Sequence, residues 1–234
     1  MYRLSARFAV ALLLAGASAA ASAQEVRYSW FDIALAQQDV GRDGIMTDLA
    51  LGQTVDVSAS DGSGIRFRGS VGTWKNLFAY VDFRSSDVKV AAVVTNAQGR
   101  FPTGDEFDFT VATGGVGARV PLRDSTDIYA LLTYDSTDLD FGSFAGENFD
   151  SGDKDFGATV GVRSIWRDKF ELRAHVRYSG VGNVDLSTRT LTEDTLYGFG
   201  FGYQLIRGLS VTGDFESGEF SSWNIGFRLD LSED

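Results

Sequence analysis

From Trp223 to Leu231 a large apolar side chain takes every second position: Trp223, Ile225, Phe227, Leu229 and Leu231, with Asn224, Gly226, Arg228 and Asp230 between them. Successive side chains of a β-strand point to opposite faces, so this stretch predicts a strand with one apolar and one polar face. The pattern recurs along the chain in segments near the roughly 9–11 residues that a tilted membrane strand needs. It predicts strands at 26–37, 64–73, 77–87, 106–120, 126–137, 154–165, 170–179, 194–205 and 209–216, and the closing strand makes ten. The seventh is the clearest, with Phe170, Leu172, Ala174, Val176 and Tyr178 against Glu171, Arg173, His175, Arg177 and Ser179. The fourth changes phase between Phe107, Phe109, Val111 and Val116, Ala118, Val120, and a glycine bulge at Gly114-Gly115 is expected to restore one apolar face.

Connections alternate in length. Those after strands two, four, six and eight are short. Long loops are expected at 38–62, 88–105, 139–153 and 184–193, rich in Gly, Asp, Ser and Asn, while the turn near Gly218 is short. Residues 45–57 alternate Leu49, Leu51, Val55 and Val57 with smaller or polar residues. Counted as a membrane strand they would make the total odd, so they read as a β-extension within the first outer loop. Totals of 8 or 12 strands are the alternatives.

A soluble sandwich shows the same alternation with its apolar face inward, and context separates the two. Arg3 and Arg7 precede an apolar run, Phe8 to Ala15, and Ala21-Ser22-Ala23 places small residues where a signal peptidase cuts. Residues 1–23 therefore read as a cleaved signal peptide and 24–234 as one β-barrel domain. The apolar run is too short to cross roughly 30 Å of hydrocarbon as an anchor. Export combined with repeated alternation predicts a barrel turned inside out, apolar toward lipid and polar toward its own lumen.

Composition sharpens this. Twenty-seven glycines, two prolines and 13% aromatic residues favour β structure, and a mean hydropathy of −0.07 fits a barrel whose apolar residues are spread one in two. The absence of cysteine excludes disulfides, thiol catalysis, cysteine metal sites and a lipoprotein anchor. Loss of Arg3 and Arg7 takes the net charge from −11 to −13, which argues against nucleic-acid partners.

The layout resembles the small outer-membrane β-barrels of Gram-negative bacteria, of the OmpA transmembrane-domain kind, over residues 24–234. Its most specific element is terminal. Asn224, Gly226, Leu229 and Leu231 resemble the β-signal read by the barrel-assembly machinery, although the usual terminal aromatic is missing and Ser232-Glu233-Asp234 trail behind. The resemblance implies an all-β, antiparallel up-and-down transmembrane barrel in the cell outer membrane. It also implies contact with lipid and lipopolysaccharide, and engagement of the assembly machinery during biogenesis. A monomer without a peptidoglycan-binding domain is expected.

By strand parity Arg66, Arg68, Arg84, Arg163, Arg173, Arg177 and Arg228 face the lumen, as do Asp82, Asp135, Glu171, His175, Asp214, Glu216 and Asp230. Buried charges are costly unless paired, so a salt-bridge network is expected, either filling the barrel or lining a narrow path for ions or small solutes. His175 is the only histidine and has no sequence-adjacent nucleophile motif, so no enzyme activity, metal site or cofactor is expected. Asp138, Asp140, Glu147, Asp150, Asp153 and Asp155 do not follow an EF-hand pattern and read as a solvated outer loop. Trp74 and Trp166 read as an interfacial aromatic belt, and Gly198, Gly200 and Gly202 alternate within a strand rather than opening a helix. The function expected is structural or surface-interacting, with a porin-like channel second and an outer-membrane enzyme third.

Overall fold

The computed structural model describes residues 28–48, 53–74, 76–144, 147–185, 190–219 and 221–231. The export segment 1–23, Leu49, Leu51 and the trailing Ser232-Glu233-Asp234 lie outside them. Ten strands form the fold: β1 (Trp30–Asp48), β2 (Gln53–Trp74), β3 (Leu77–Asn96), β4 (Gly99–Arg123), β5 (Thr126–Phe144), β6 (Glu147–Trp166), β7 (Phe170–Asp185), β8 (Thr190–Ile206), β9 (Leu209–Ser217) and β10 (Ser221–Asp230). Each pairs antiparallel with its sequence neighbours, and β10 closes onto β1 from Trp30↔Asp230 to Asp39↔Ser221.

Exposure is inverted relative to a water-soluble fold. Leu35, Val116, Leu132 and Phe156 are 66–71% exposed, whereas Asp32 and Asp135 are 0% and Arg66 is 2% exposed. A sandwich with an apolar core would show the reverse, so the apolar faces are the lipid belt and the charged faces fill the lumen.

The expected long loops are mostly strand. β1 and β2 stay paired to Asp48↔Gln53, with Ile45 opposite Asp56 and Gly44 opposite Val57, so 45–57 is the upper part of one hairpin. β3 and β4 stay paired to Asn96↔Gly99, and β5 and β6 to Phe144↔Glu147. Above the lipid the outer face of the wall meets water. Pairing there no longer demands apolar alternation, and the periodic signal fades although the strands continue. Register shifts fall where the wall leaves the belt, at Asp39/Arg42, Ala59/Gly62, Asp140/Ser143 and Ser179/Asn183, as bulges at barrel rims do.

The bulge expected at Gly114-Gly115 is not there. Across this site β4 keeps its register with both neighbours, Gly114 opposite Val81 and Tyr134, and Gly115 opposite Tyr80 and Thr133, and its one register shift falls at Pro121/Arg123 against β5. Val116, Ala118 and Val120 therefore face lipid, while Phe109 is buried on the lumen side and Val111 lines the lumen beside it. The phase change in sequence marks an apolar patch inside the upper lumen. Tyr28 and Trp30, grouped with the apolar residues of the first strand, also turn inward, where Tyr28 packs on Phe78 at 4.6 Å between ring centroids.

Candidate functional site

The lumen is built by inward side chains of the strands and by a run of glycines on β8, between Leu196 and Gln204, which line it above and below. β8 offers glycines, and a Cβ at Gly198 would strike the His175 ring while one at Gly200 would strike Asp214 and Arg173. These glycines make room for the side chains that cross the barrel. On β6, Gly161 does the same for the Tyr129 ring.

Glu171 on β7 collects three guanidinium groups. Arg228 of β10 donates to both its oxygens at 2.8 and 2.7 Å, Arg163 of β6 donates at 2.7 Å, and Arg173 Nε stands 3.4 Å away. Arg173 also reaches Asp214 of β9 at 3.0 Å, and Arg228 reaches Asp230 at 3.1 Å. From Asp214 the chain of charge continues through Arg68 of β2, which donates to it and lies 3.2 Å from Asp32 of β1. Thr212 Oγ1 donates to Asp32 at 2.7 Å.

Glu216 is the second hub. It accepts from Arg84 at 3.1 Å, faces His175 Nε2 at 3.1 Å and lies 3.9 Å from Arg66. Arg66 is itself clamped by Asp82, its Nε donating at 2.9 Å and its Nη2 to the second oxygen. Arg177 donates to Asp135 at 2.9 Å and to Thr113 at 3.1 Å, and Ser179 donates to the same Asp135 carboxylate at 2.7 Å. Arg119 and Asp127 pair at 3.2 Å near the periplasmic end, with the Arg119 and Arg163 guanidinium groups 5.2 and 5.3 Å from the Tyr28 ring.

Geometry decides what this arrangement does. Arg68–Asp214, Arg84–Glu216 and Arg228–Glu171 join strands three or four places apart in the barrel, so these pairs reach across the lumen, whereas Arg177–Asp135 bridges β7 and β5 along the wall over Gly157 of β6. The described network matches eight arginines with eight carboxylates, which leaves no net charge to select one sign of ion. Cavities of about 100, 50 and 30 Å³ remain in its centre, upper part and periplasmic mouth. Each is large enough to hold ordered water among its polar groups.

All fourteen sequence-predicted lumen residues lie inside the barrel. Thirteen enter these ion pairs and His175 joins through Glu216. Asp32, Arg119 and Asp127 complete the network but were not predicted. Asp32 sits between Phe31 and Ile33 in a strand whose parity was masked by inward Trp30, and Arg119 and Asp127 flank a turn. Of the terminal set, Leu229 and Leu231 face lipid, while Asn224 and Gly226 face inward. A Cβ at Gly226 would meet the β1 backbone at Ile33 and Ala34, so this glycine also permits the closing contact. Among the described residues no group of three His, Asp or Glu side chains is placed to hold a metal ion.

The sequence matches the outer membrane protein beta-barrel domain family over residues 8–204. No curated protein matches it. Among solved structures it is similar to the outer membrane protein OprG of Pseudomonas aeruginosa, with 10% identity, 91% of this chain and 100% of that chain covered, and a TM-score of 0.46. The β domain of the Bordetella autotransporter BrkA gives 9% identity, 88% and 100% coverage and a TM-score of 0.47. Ail, the attachment invasion locus protein of Yersinia pestis, gives 11% identity, 86% and 99% coverage and a TM-score of 0.39.

Proposed function

Because the chain belongs to the outer membrane protein beta-barrel domain family, we propose that it is a closed, non-enzymatic barrel that holds a tall β-wall at the cell surface for interaction rather than transport. The observation that carries this reading is the set of ion pairs reaching across the lumen between strands three or four places apart.

Export proceeds through cleavage after Ala23, and the mature barrel of residues 24–234 acts as a monomer in contact with lipid and lipopolysaccharide. Asn224, Gly226, Leu229 and Leu231 serve as its address for the barrel-assembly machinery. His175 orients Glu216 instead of activating a nucleophile, since that carboxylate is already shared with two arginines.

A narrow-channel reading has one observation in its favour. The central and upper cavities share Arg177 and Glu216, and the central cavity and the mouth share Arg163, so the three lie in series. Planar-bilayer recording separates the two. The closed barrel gives a baseline without steady openings, and a steady conductance altered by Arg177→Ala establishes the channel instead.

A further inference from the structure

Above the lipid belt the closed wall becomes an open one. β10 ends its pairing with β1 at Asp39↔Ser221, and β9 ends its pairing with β8 at Tyr197↔Ser217. β1 nevertheless continues along β2 to Asp48, and β8 starts along β7 at Thr190. The two low strands between them leave a notch two strands wide, about 14 Å across at the usual interstrand spacing. Its floor is fixed, because the backbone N–H of Glu219 in the β9–β10 turn donates to Asp194 Oδ2 at 2.9 Å.

The sides of the notch are strand edges. Residues 42–48 of β1 and 190–192 of β8 have a strand partner on one side only among the described residues. Such an edge presents a row of backbone N–H and C=O groups to any chain that approaches it, and folded proteins usually blunt it with proline or lysine. Residues 40–48 and 190–196 contain neither, and the register shifts that border these edges, Asp39/Arg42 and Ser179/Asn183, leave 42–48 and 190–192 in continuous pairing with β2 and β7.

Charge states which chain fits. The β1–β2 hairpin between 39 and 61 carries five aspartates against the single Arg42, and β8 adds Glu193 and Asp194. Asp39 and Asp61 stand directly opposite each other, both exposed, at the foot of the β1 edge. Like charges placed opposite on paired strands are destabilising, and a cationic neighbour relieves that cost.

We propose that the notch takes a cationic polypeptide hairpin, which pairs with the free edges of β1 and β8 and completes the wall as two added strands. Backbone pairing supplies the affinity and the acidic rim supplies the sign. The inference rests on the surface-interaction reading and gives that surface a partner of stated chemistry.

The test uses the folded full-length barrel in detergent micelles and a synthetic hairpin of alternating Lys and Val around an Asn-Gly turn. Hydrogen exchange read by mass spectrometry is expected to show new protection at 42–48 and 190–192. N-methylation of the peptide's edge amides is expected to weaken binding about tenfold or more, because it removes ladder bonds. Asp39→Asn/Asp61→Asn/Glu193→Gln, in exposed positions, is expected to weaken it about tenfold and to flatten its salt dependence. Absence of binding, protection spread over the wall without these two edges, or equal binding of the methylated peptide would overturn the proposal. If it fails while the bilayer baseline stays closed, the closed-barrel reading stands and only the partner falls.

Discussion

Glu171 is a single carboxylate facing three guanidinium groups from β6, β7 and β10, almost wholly buried. Replacing it with glutamine keeps the shape and removes the charge, leaving Arg163 and Arg228 facing an amide. Removing one partner of a buried pair costs about 3–5 kcal/mol, far more than a surface pair is worth. We expect Glu171→Gln to lower the unfolding free energy, measured by urea titration, by that order. The exposed rim variant Asp61→Asn, measured in the same way, should lie within about 0.5 kcal/mol of the parent. Equal unfolding free energies for the two would show that the lumen charges are solvated rather than buried. At this scale parity read the sequence well wherever charge alternated with bulk, as at Arg173, His175 and Arg177. It failed where an inward residue was itself aromatic, as at Trp30 and Phe109, because alternation by hydrophobicity cannot say which of two apolar neighbours faces in. Gly198 and Gly200 were legible as strand positions only, since their purpose lies in the His175 and Arg173 side chains of the adjoining strand.

β10 shows how one element serves two environments. Trp223, Ile225, Phe227, Leu229 and Leu231 are each about half exposed toward lipid, while Arg228 is buried 180° away in the Glu171 pair. A charge on the lipid face of a barrel costs about 2–4 kcal/mol near the bilayer midplane and about 0–1 kcal/mol near the interfaces. Ile225→Arg and Leu231→Arg therefore test depth as well as face. Refolding into lipid vesicles should show the first losing about 2–4 kcal/mol and the second, beside the periplasmic end, little. Equal losses would contradict the assigned span. Element number was legible because ten segments carried the two-residue period within the belt. Element length was not, because β1 to β6 continue where the outer face meets water. In β3 the upper stretch 88–96 keeps only β-branched composition, Val88, Val90, Val93, Val94 and Thr95, and composition without alternation reads as loop.

The molecule divides its labour by height. Within the belt, lipid contact and the lumen network hold ten strands in a closed ring. Above it, paired hairpins rise with water on their outer face and stand on the ring's register. Replacing residues 42–59 with an Asn-Gly turn removes the upper β1–β2 hairpin and leaves the belt pairs from Trp30↔Ser70 to Asp39↔Asp61 intact. No ion pair of the lumen network lies in the removed segment, and loop length alone changes stability slowly, about 0.6 kcal/mol per doubling. The shortened barrel should therefore keep its folding free energy within about 1 kcal/mol and keep the closed bilayer baseline. It should lose capture of the cationic hairpin, since the β1 edge of the notch is gone. A barrel that unfolds on this deletion would mean the wall stabilises the ring, and one that begins to conduct would mean the wall, not the arginine–carboxylate crossings, seals the lumen.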